Sequence, residues 1–244
     1  MAIILTGMHR SGTSMFARFM HESGICMGET FYIDKTANRY GHYEDMDFLN
    51  LQRHELIRHF KGEDWLVFHN FTHTDDFATK AAKLYRGKVS KNNCSEWGWK
   101  DPRTTLFMDF WMEVDPSIRT IFMVRQPKEV LNSLCRLLKT RWSQKEKSKY
   151  LKTYTHYNRS ILNFAHRHQN QNMAIISMNQ LAEDPVGVLA RVNMKINTGF
   201  DPQLFKTLFD SSAISSDAFI PSIFIGRQLN EAQSVFDNLR PFFV

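Results

Sequence analysis

The chain has 244 residues, of which 43% are hydrophobic and 13% aromatic, and it carries a net charge of +6. That length suits one domain, or one domain with a substantial insertion, while the apolar content and only seven prolines argue against long disorder. The positive balance favours an anionic partner without choosing among nucleotide, nucleic acid and membrane.

In chain order, residues 2–6 form a short apolar run that reads as a buried strand and stops at Gly7. A helix follows over 13–23, with Met15, Phe16, Phe19 and Met20 at helical spacing and Gly24 as its stop. Residues 25–45 read as an irregular surface segment, and helical patterns occupy 46–60 and 75–86. A second strand, Glu96–Trp99, is stopped by Asp101-Pro102 and followed by a helix over 104–113. The clearest strand is Arg119–Val124, after which Pro127 opens a helix over 127–139. A basic run, 139–152 with Trp142 and Tyr150, leads into a helix reaching about His168; it reads as an exposed helix face. A fourth strand covers Met173–Ser177, and short helices fill the remainder. Strands alternating with helical patterns of about 10–15 residues imply an α/β fold with a parallel sheet covered on both faces. No repeat or linker divides the chain, so residues 1–244 are read as one domain.

Cys26, Cys94 and Cys135 are few, odd in number and widely spaced, with neither a metal pattern nor a disulfide framework. Reduced, mostly buried thiols are expected. No apolar stretch approaches the ~20 residues of a membrane span, and the first apolar run is too short for a signal peptide. The expectation is a soluble, cytoplasmic protein. His69 and His73 stand four apart, but their surroundings are not helical and no third ligand is near, so no metal site is expected.

The chemistry is concentrated in Gly7-Met-His-Arg-Ser-Gly12-Thr-Ser14. The layout is that of a phosphate loop, G-x-x-x-x-G-K-[ST], but Thr13 stands where the lysine belongs and Arg10 has entered the loop. The backbone N–H cradle depends on Gly7, Gly12 and the helix N-terminus, so an anion site survives the loss of the lysine. Arg10 adds a fork of donors suited to oxyanions, and Ser11, Thr13 and Ser14 add hydroxyls. The strand 119–124 ends in Arg125, not in a magnesium-linked aspartate. A sulfuryl group carries less negative charge than a phosphoryl group and needs less neutralisation, so a metal-free loop suffices for it.

Arg10-Ser11-Gly12-Thr13-Ser14 resembles the 5′-phosphosulfate loop of sulfotransferases that use 3′-phosphoadenylyl sulfate (PAPS). Val124-Arg125-Gln126-Pro127, with Ser133 further on, resembles the same family's 3′-phosphate grip. The resemblance, to bacterial-type enzymes akin to carbohydrate and tyrosylprotein sulfotransferases, implies a P-loop NTPase-like three-layer fold with a central, mostly parallel sheet. It implies that His9, Arg10, Ser11, Gly12, Thr13, Ser14, Arg125 and Ser133 bind PAPS or its product PAP, with Arg10 also among the catalytic groups. Lys100-Asp101-Pro102 resembles a run whose lysine lies beside the reacting sulfate. Lys100 is therefore expected to steady charge on the leaving oxygen, and Arg103 to hold sulfate or acceptor, while Asp101 also suits a helix N-cap.

The base is sought in Gly41-His42-Tyr43-Glu44-Asp45: Glu44 is the choice, with His42, Asp45 and Asp101 as rivals and His42 also placed at the acceptor. Glu44 also suits a cap for the helix beginning near Asp47. Met178 and Asn179 depart from the family's Tyr-Glu pair, and Ile225-Gly226-Arg227 is the one local candidate for a C-terminal basic loop. The implied activity is metal-free, in-line sulfuryl transfer to a hydroxyl of a small molecule, carbohydrate or glycolipid, with no nucleic-acid partner. Two other readings compete: a kinase with a degenerate loop, and a non-enzymatic polyanion-binding module.

Overall fold

The computed structural model describes residues 1–32, 41–60, 64–91, 93–139, 143–169, 172–209 and 225–244. Part of the segment read as irregular (33–40) and Trp142 of the basic run lie outside these residues.

Four strands, β1 (Ala2–Thr6), β2 (Trp97–Lys100), β3 (Arg119–Val124) and β4 (Met173–Ser177), form one parallel sheet in the order β2-β1-β3-β4 among the described residues. Every residue of these strands is buried, as expected for a sheet covered on both faces. The period-2 alternation sorts the side chains into two cores. Ile3, Leu5, Ile121, Met123, Ala174 and Ile176 face one side, against α1 (Thr13–Glu22), α8 (Pro185–Ile196) and α9 (Pro202–Leu208). Ala2, Ile4, Phe122, Val124, Met173 and Ile175 face the other, against α5 (Pro127–Leu137), α6 (Gln144–Arg167) and α10 (Gly226–Leu239). The result is the three-layer α/β architecture expected from the strand–helix alternation.

On the second side β2 buries an aromatic cluster. Phe48 of α2 (Met46–His59) lies 4.1 Å from Trp99 with the rings parallel, and Trp111 of α4 (Met108–Val114) meets Trp99 edge-on at 5.1 Å. Trp97 and Trp99 are core residues, as expected.

β1 is central, with β2 on one side and β3 on the other, so the strand order reverses there. Ligands of open parallel sheets bind beyond the carboxyl ends of the strands at such a switch point. The pairing of Leu5 with Lys100 and of Thr6 with Phe122 fixes which residues emerge at that edge. They are the Gly7 loop, the Lys100-Asp101 turn and Arg125.

Several boundaries differ from the sequence reading. β2 runs one residue further than expected, because its register with β1 carries pairing through Lys100. The helix expected over 104–113 is a 3₁₀ turn, Pro102–Phe107, followed by α4. Thr104 and Thr105 hold the tighter turn by bonding outward, to the Trp99 indole at 3.2 Å and the Thr6 hydroxyl at 2.8 Å. α3 (Asp75–Lys91) extends five residues beyond the expected end at 86. The basic run is not simply an exposed face, since Lys147, Tyr150 and Leu151 of α6 are buried.

The cysteine expectation is corrected. Cys26 and Cys94 are disulfide-bonded, with Cα atoms 6.4 Å apart, leaving Cys135 buried and outside the bridge. The two are far apart in sequence, but Cys26 pairs alongside Trp97 at the start of β2, and its N–H donates to the Glu96 carbonyl at 3.1 Å. No described helix is long and apolar enough to cross a membrane.

Candidate active site

The loop after β1 turns on two glycines. Gly7 has φ of 138°, and a Cβ there would lie 2.2 Å from the Met123 carbonyl oxygen, so only glycine lets the chain leave β1 this close to β3. Gly12, at φ of 92°, occupies the N-cap of α1 and offers no side-chain cap. Arg10 also adopts a left-handed conformation, at φ of 70°. The first-turn N–H groups of α1 therefore face an edge with no acidic residue in that turn, an arrangement that attracts an anion. Ser11 is buried, and its hydroxyl has no hydrogen-bond partner among the described residues. A buried hydroxyl left unmatched beside a helix N-terminus fits a group supplied by a ligand. The loop is anchored behind by the Gly7 N–H, which donates to Thr105 Oγ1 at 3.0 Å.

The second motif meets this loop directly. Arg10 Nε donates to Ser133 Oγ at 2.9 Å, and an Arg125 N–H reaches the Arg10 carbonyl at 3.5 Å. Arg125 is held in place from behind. Its Nε donates to Glu129 Oε2 at 2.6 Å, one helical turn on, and the Asn179 amide donates to the other Glu129 oxygen at 2.9 Å. The Tyr154 hydroxyl donates to the Arg125 carbonyl at 2.7 Å. Burial and the nearby Arg125 and Arg136 push the Arg10 guanidinium below its ordinary value, which marks a cation-rich spot that an anion would relieve.

The third group stands at the end of β2. The ammonium of Lys100, almost wholly buried, donates to Glu44 Oε1 at 2.6 Å, to the His42 carbonyl at 3.1 Å and to Ser14 Oγ at 3.2 Å. All three of its N–H donors are thus engaged. Arg103 NH1 lies 3.0 Å from Asp101 Oδ1 and 3.7 Å from Glu44 Oε2, while NH2 donates to Asp64 Oδ2 at 3.0 Å. Burial pushes the Glu44 carboxyl up, but the charges of Lys100 and Arg103 and the Lys100 hydrogen bond outweigh it and hold Glu44 below its ordinary value. Asp101 is pushed up to about 6 by burial, against the pull of Arg103, with the Glu44 charge adding to the rise. Burial lowers the His9 imidazole well below its ordinary value, and the charges of Arg103, Lys100 and Arg10 add to that, so His9 is neutral.

Residues of the loop, of the Gly41–Glu44 stretch and of the β2 end line one open cleft with a cavity volume of about 200 Å³. Arg10, Thr13 and Ser14 form its loop side, and Glu44, Lys100 and Arg103 stand together within it. A family model described as sulfotransferase family matches residues 2–202. The chain belongs to the sulfotransferase family. Its fold is that of bacterial sulfotransferase domains. The sulfotransferase domain of the Synechococcus PCC 7002 olefin synthase shares it with a TM-score of 0.62 at 14% identity, covering 97% of this chain and 94% of that one. A sulfotransferase from Alicyclobacillus acidocaldarius has a TM-score of 0.55 at 10% identity, covering 98% and 94%. The sulfotransferase domain from the curacin biosynthetic pathway has 0.54 at 14%, covering 100% and 91%. Among curated proteins, none matches the chain by sequence.

In this sulfotransferase the residues singled out from sequence meet at the carboxyl edge of the sheet. His9, Arg10, Thr13, Ser14, His42, Glu44, Lys100 and Arg103 line the cleft itself. Ser133 and Arg125 join it through Arg10. Asp45 is engaged elsewhere. It caps α2 through the Asp47 N–H at 2.9 Å and pairs with Lys88 at 3.0 Å. The helix cap considered for Glu44 is thus made by Asp45. Asp101 caps the 3₁₀ turn by accepting from the Arg103 N–H at 2.8 Å and takes the Gln52 amide at 3.1 Å.

Sequence reasoning missed Glu129, Tyr154 and Asn179 behind Arg125, and Asp64 and Gln52 behind the Arg103–Asp101 pair. Only Glu129 left a local signal, its four-residue spacing from Arg125. Gly226 opens α10, so Arg227 lies in a helical first turn, with 210–224 outside the described residues. No group of three or more His, Cys, Asp or Glu suited to a metal ion occurs among the described residues.

Proposed function

We propose that this sulfotransferase moves a sulfuryl group from PAPS to an acceptor hydroxyl in line and without a metal, acting as one domain. One observation supports the reading: the Arg10–Ser133 hydrogen bond, with Arg125 against the Arg10 carbonyl, brings the two residue sets read as anion grips together next to the cleft. A nucleotide phosphorylated on both its 5′ and 3′ sides needs two such grips, whereas a kinase needs only the loop. The buried, unmatched Ser11 hydroxyl and the uncapped helix N-terminus fit the 5′ end.

When bound, PAPS supplies the sulfuryl group. The N–H groups at Gly12–Ser14, with His9, Arg10, Ser11, Thr13 and Ser14, hold the 5′-phosphosulfate end, and Arg125 and Ser133 hold the 3′-phosphate. A bond forms from the acceptor oxygen to sulfur as the bond from sulfur to the phosphate oxygen breaks. Glu44 takes the acceptor's proton, and His42 stands beside it, with Nδ1 3.9 Å from Glu44 Oε1. Lys100 touches both the base and the loop hydroxyl of Ser14. As it turns toward charge growing on the leaving oxygen, it withdraws from Glu44, whose proton affinity then rises as the proton arrives. Arg103, its donors engaged by Asp101 and Asp64, is a fixed positive charge beside Glu44 and the acceptor.

Thermal shift with PAP, AMP and ATP–magnesium tests the reading. At a hundredfold excess over Kd, PAP stabilises by about 2.7 kcal/mol, or about 5–10 °C for a chain of this size. An equal shift with AMP removes the 3′ grip. A larger one with ATP–magnesium favours a kinase, and steep salt dependence with no preference for PAP favours a polyanion-binding module.

A further inference from the structure

We infer that the acceptor is an alcohol or phenol with an extended apolar body, not a free sugar; this rests on the sulfuryl-transfer reading. The cleft that holds Glu44 and Lys100 is also lined by Leu134, Leu137 and Leu138 at the end of α5, together with Trp65, Tyr32 and Pro102. The earlier apolar residues of α5, Val130, Leu131 and Leu134, go into the core. Leu137 is only partly buried and Leu138 is 41% exposed, one of few large apolar side chains so exposed among the described residues. One exposed leucine is ordinary on a protein surface. Two that continue a buried apolar wall into the cleft holding the base are a surface kept for an apolar ligand.

Of the polar groups in the cleft, Arg10, Thr13 and Ser14 are assigned to the nucleotide, and the cations nearest Glu44 are engaged by protein partners. Lys100 is committed to Glu44 and Ser14, and Arg103 to Asp101 and Asp64. A sugar presents a hydroxyl on most of its carbons, and a leucine wall leaves those on that side unmatched. An alkyl or aryl body gains from the same wall. Trp65, braced by Tyr150 at 6.1 Å and His9 at 5.4 Å, is a fixed flat face. It suits an aryl or alkyl body and also the apolar face of a pyranose, so an alkyl glycoside belongs in the test.

Labelled sulfate transfer from PAPS is measured with the full chain on straight-chain primary alcohols of increasing length, 2-naphthol, octyl glucoside and glucose. PAP thermal shift is recorded in parallel. The expected result is a gain in kcat/KM of about fourfold per added methylene over the first several carbons, with 2-naphthol well above glucose. Leu138→Gln, a change at an exposed position, and Leu137→Asn lower kcat/KM for the longer alcohols about tenfold and leave the PAP shift unchanged. A flat chain-length series, glucose equal to or above the alcohols, or no sulfation of any of these acceptors while PAP still stabilises overturns the acceptor class alone. So does a leucine variant that weakens PAP, because the wall then belongs to the nucleotide. Absence of any PAP shift overturns the sulfuryl-transfer reading itself, and the acceptor class with it.

Discussion

Replacing Glu44 with Gln separates the base from the frame around it. The change keeps the side chain's shape and removes its charge from a site where its side chain is only 5% exposed and lies 2.6 Å from Lys100. Losing a positioned proton acceptor lowers kcat by about 10²- to 10⁴-fold, or about 2.7–5.4 kcal/mol of barrier. Stability falls as well, since removing one partner of a buried ion pair costs about 3–5 kcal/mol. The loss here is smaller, about 2 kcal/mol, because Lys100 keeps its bonds to Ser14 and the His42 carbonyl and an amide oxygen still accepts from it. At about 2–4 °C per kcal/mol, Tm drops by about 4–8 °C. PAP gives Lys100 a replacement anion, so it raises Tm more in the variant than in the parent chain. Labelled sulfate transfer and thermal shift with and without PAP read these effects. A kcat within about tenfold of the parent refutes Glu44 as the base, and loss of the PAP shift together with turnover reduces Glu44 to a structural ion.

Three further outcomes are expected. Ser133→Ala removes a hydroxyl assigned to the 3′-phosphate, and because hydrogen bonds to charged groups are worth about 1.5–3 kcal/mol, PAP affinity drops about 10- to 100-fold in calorimetry, with a smaller loss for AMP through the freed Arg10. Asp101, raised to about 6, gives the kcat/KM profile an acid limb near pH 6, because protonation discharges the partner that holds Arg103; Asp101→Asn abolishes that limb. The sign for stability is the reverse: from about pH 4 to 6 the unfolded chain ionises this carboxyl before the folded one does, so this group's contribution falls as pH rises. Reducing the Cys26–Cys94 bridge, or Cys94→Ser, removes a constraint across 68 residues worth up to about 4 kcal/mol. The Tm should drop in reductant, and an unchanged Tm would show that the Cys26 backbone bonds to Glu96 and Gly98 hold that edge alone.

What could be read from sequence was what is local. β1, β3 and β4 were located to the residue because each is a short apolar run between strong stops, and the Gly7–Ser14 loop is marked by two glycines that adopt positive φ. That Arg10 and Ser133 touch is a matter of topology. It follows once β1 and β3 are neighbours with both carboxyl ends at one edge; the strand–helix alternation implies the shared edge but not this strand order.

What escaped is what depends on distant partners. Asp64 reaches Arg103 from a stretch without regular structure, and Asn179 steadies Arg125 only through Glu129. Cys26 meets Cys94 only because the segment after α1 runs back alongside β2.

The base shows the same division from the other side. The sequence favours Glu44 by its place in the run after Gly41, with His42, Asp45 and Asp101 as rivals. Geometry separates them: Asp45 is used by α2 and Lys88, and Asp101 is turned inward to Arg103 and Gln52. Glu44 alone among the three carboxylates both lines the cleft and touches Lys100, with His42 beside it. The low proton affinity of Glu44 in this arrangement is no objection to its role. It follows from the charges of Lys100 and Arg103 and from the Lys100 hydrogen bond, and in the proposed mechanism that same ammonium turns toward the leaving oxygen during transfer. In the proposed mechanism base strength and leaving-group stabilisation are one coupled motion of a single side chain, so Lys100→Met should abolish labelled sulfate transfer while Lys100→Arg, too broad for the gap between Glu44 and Ser14, should not rescue it.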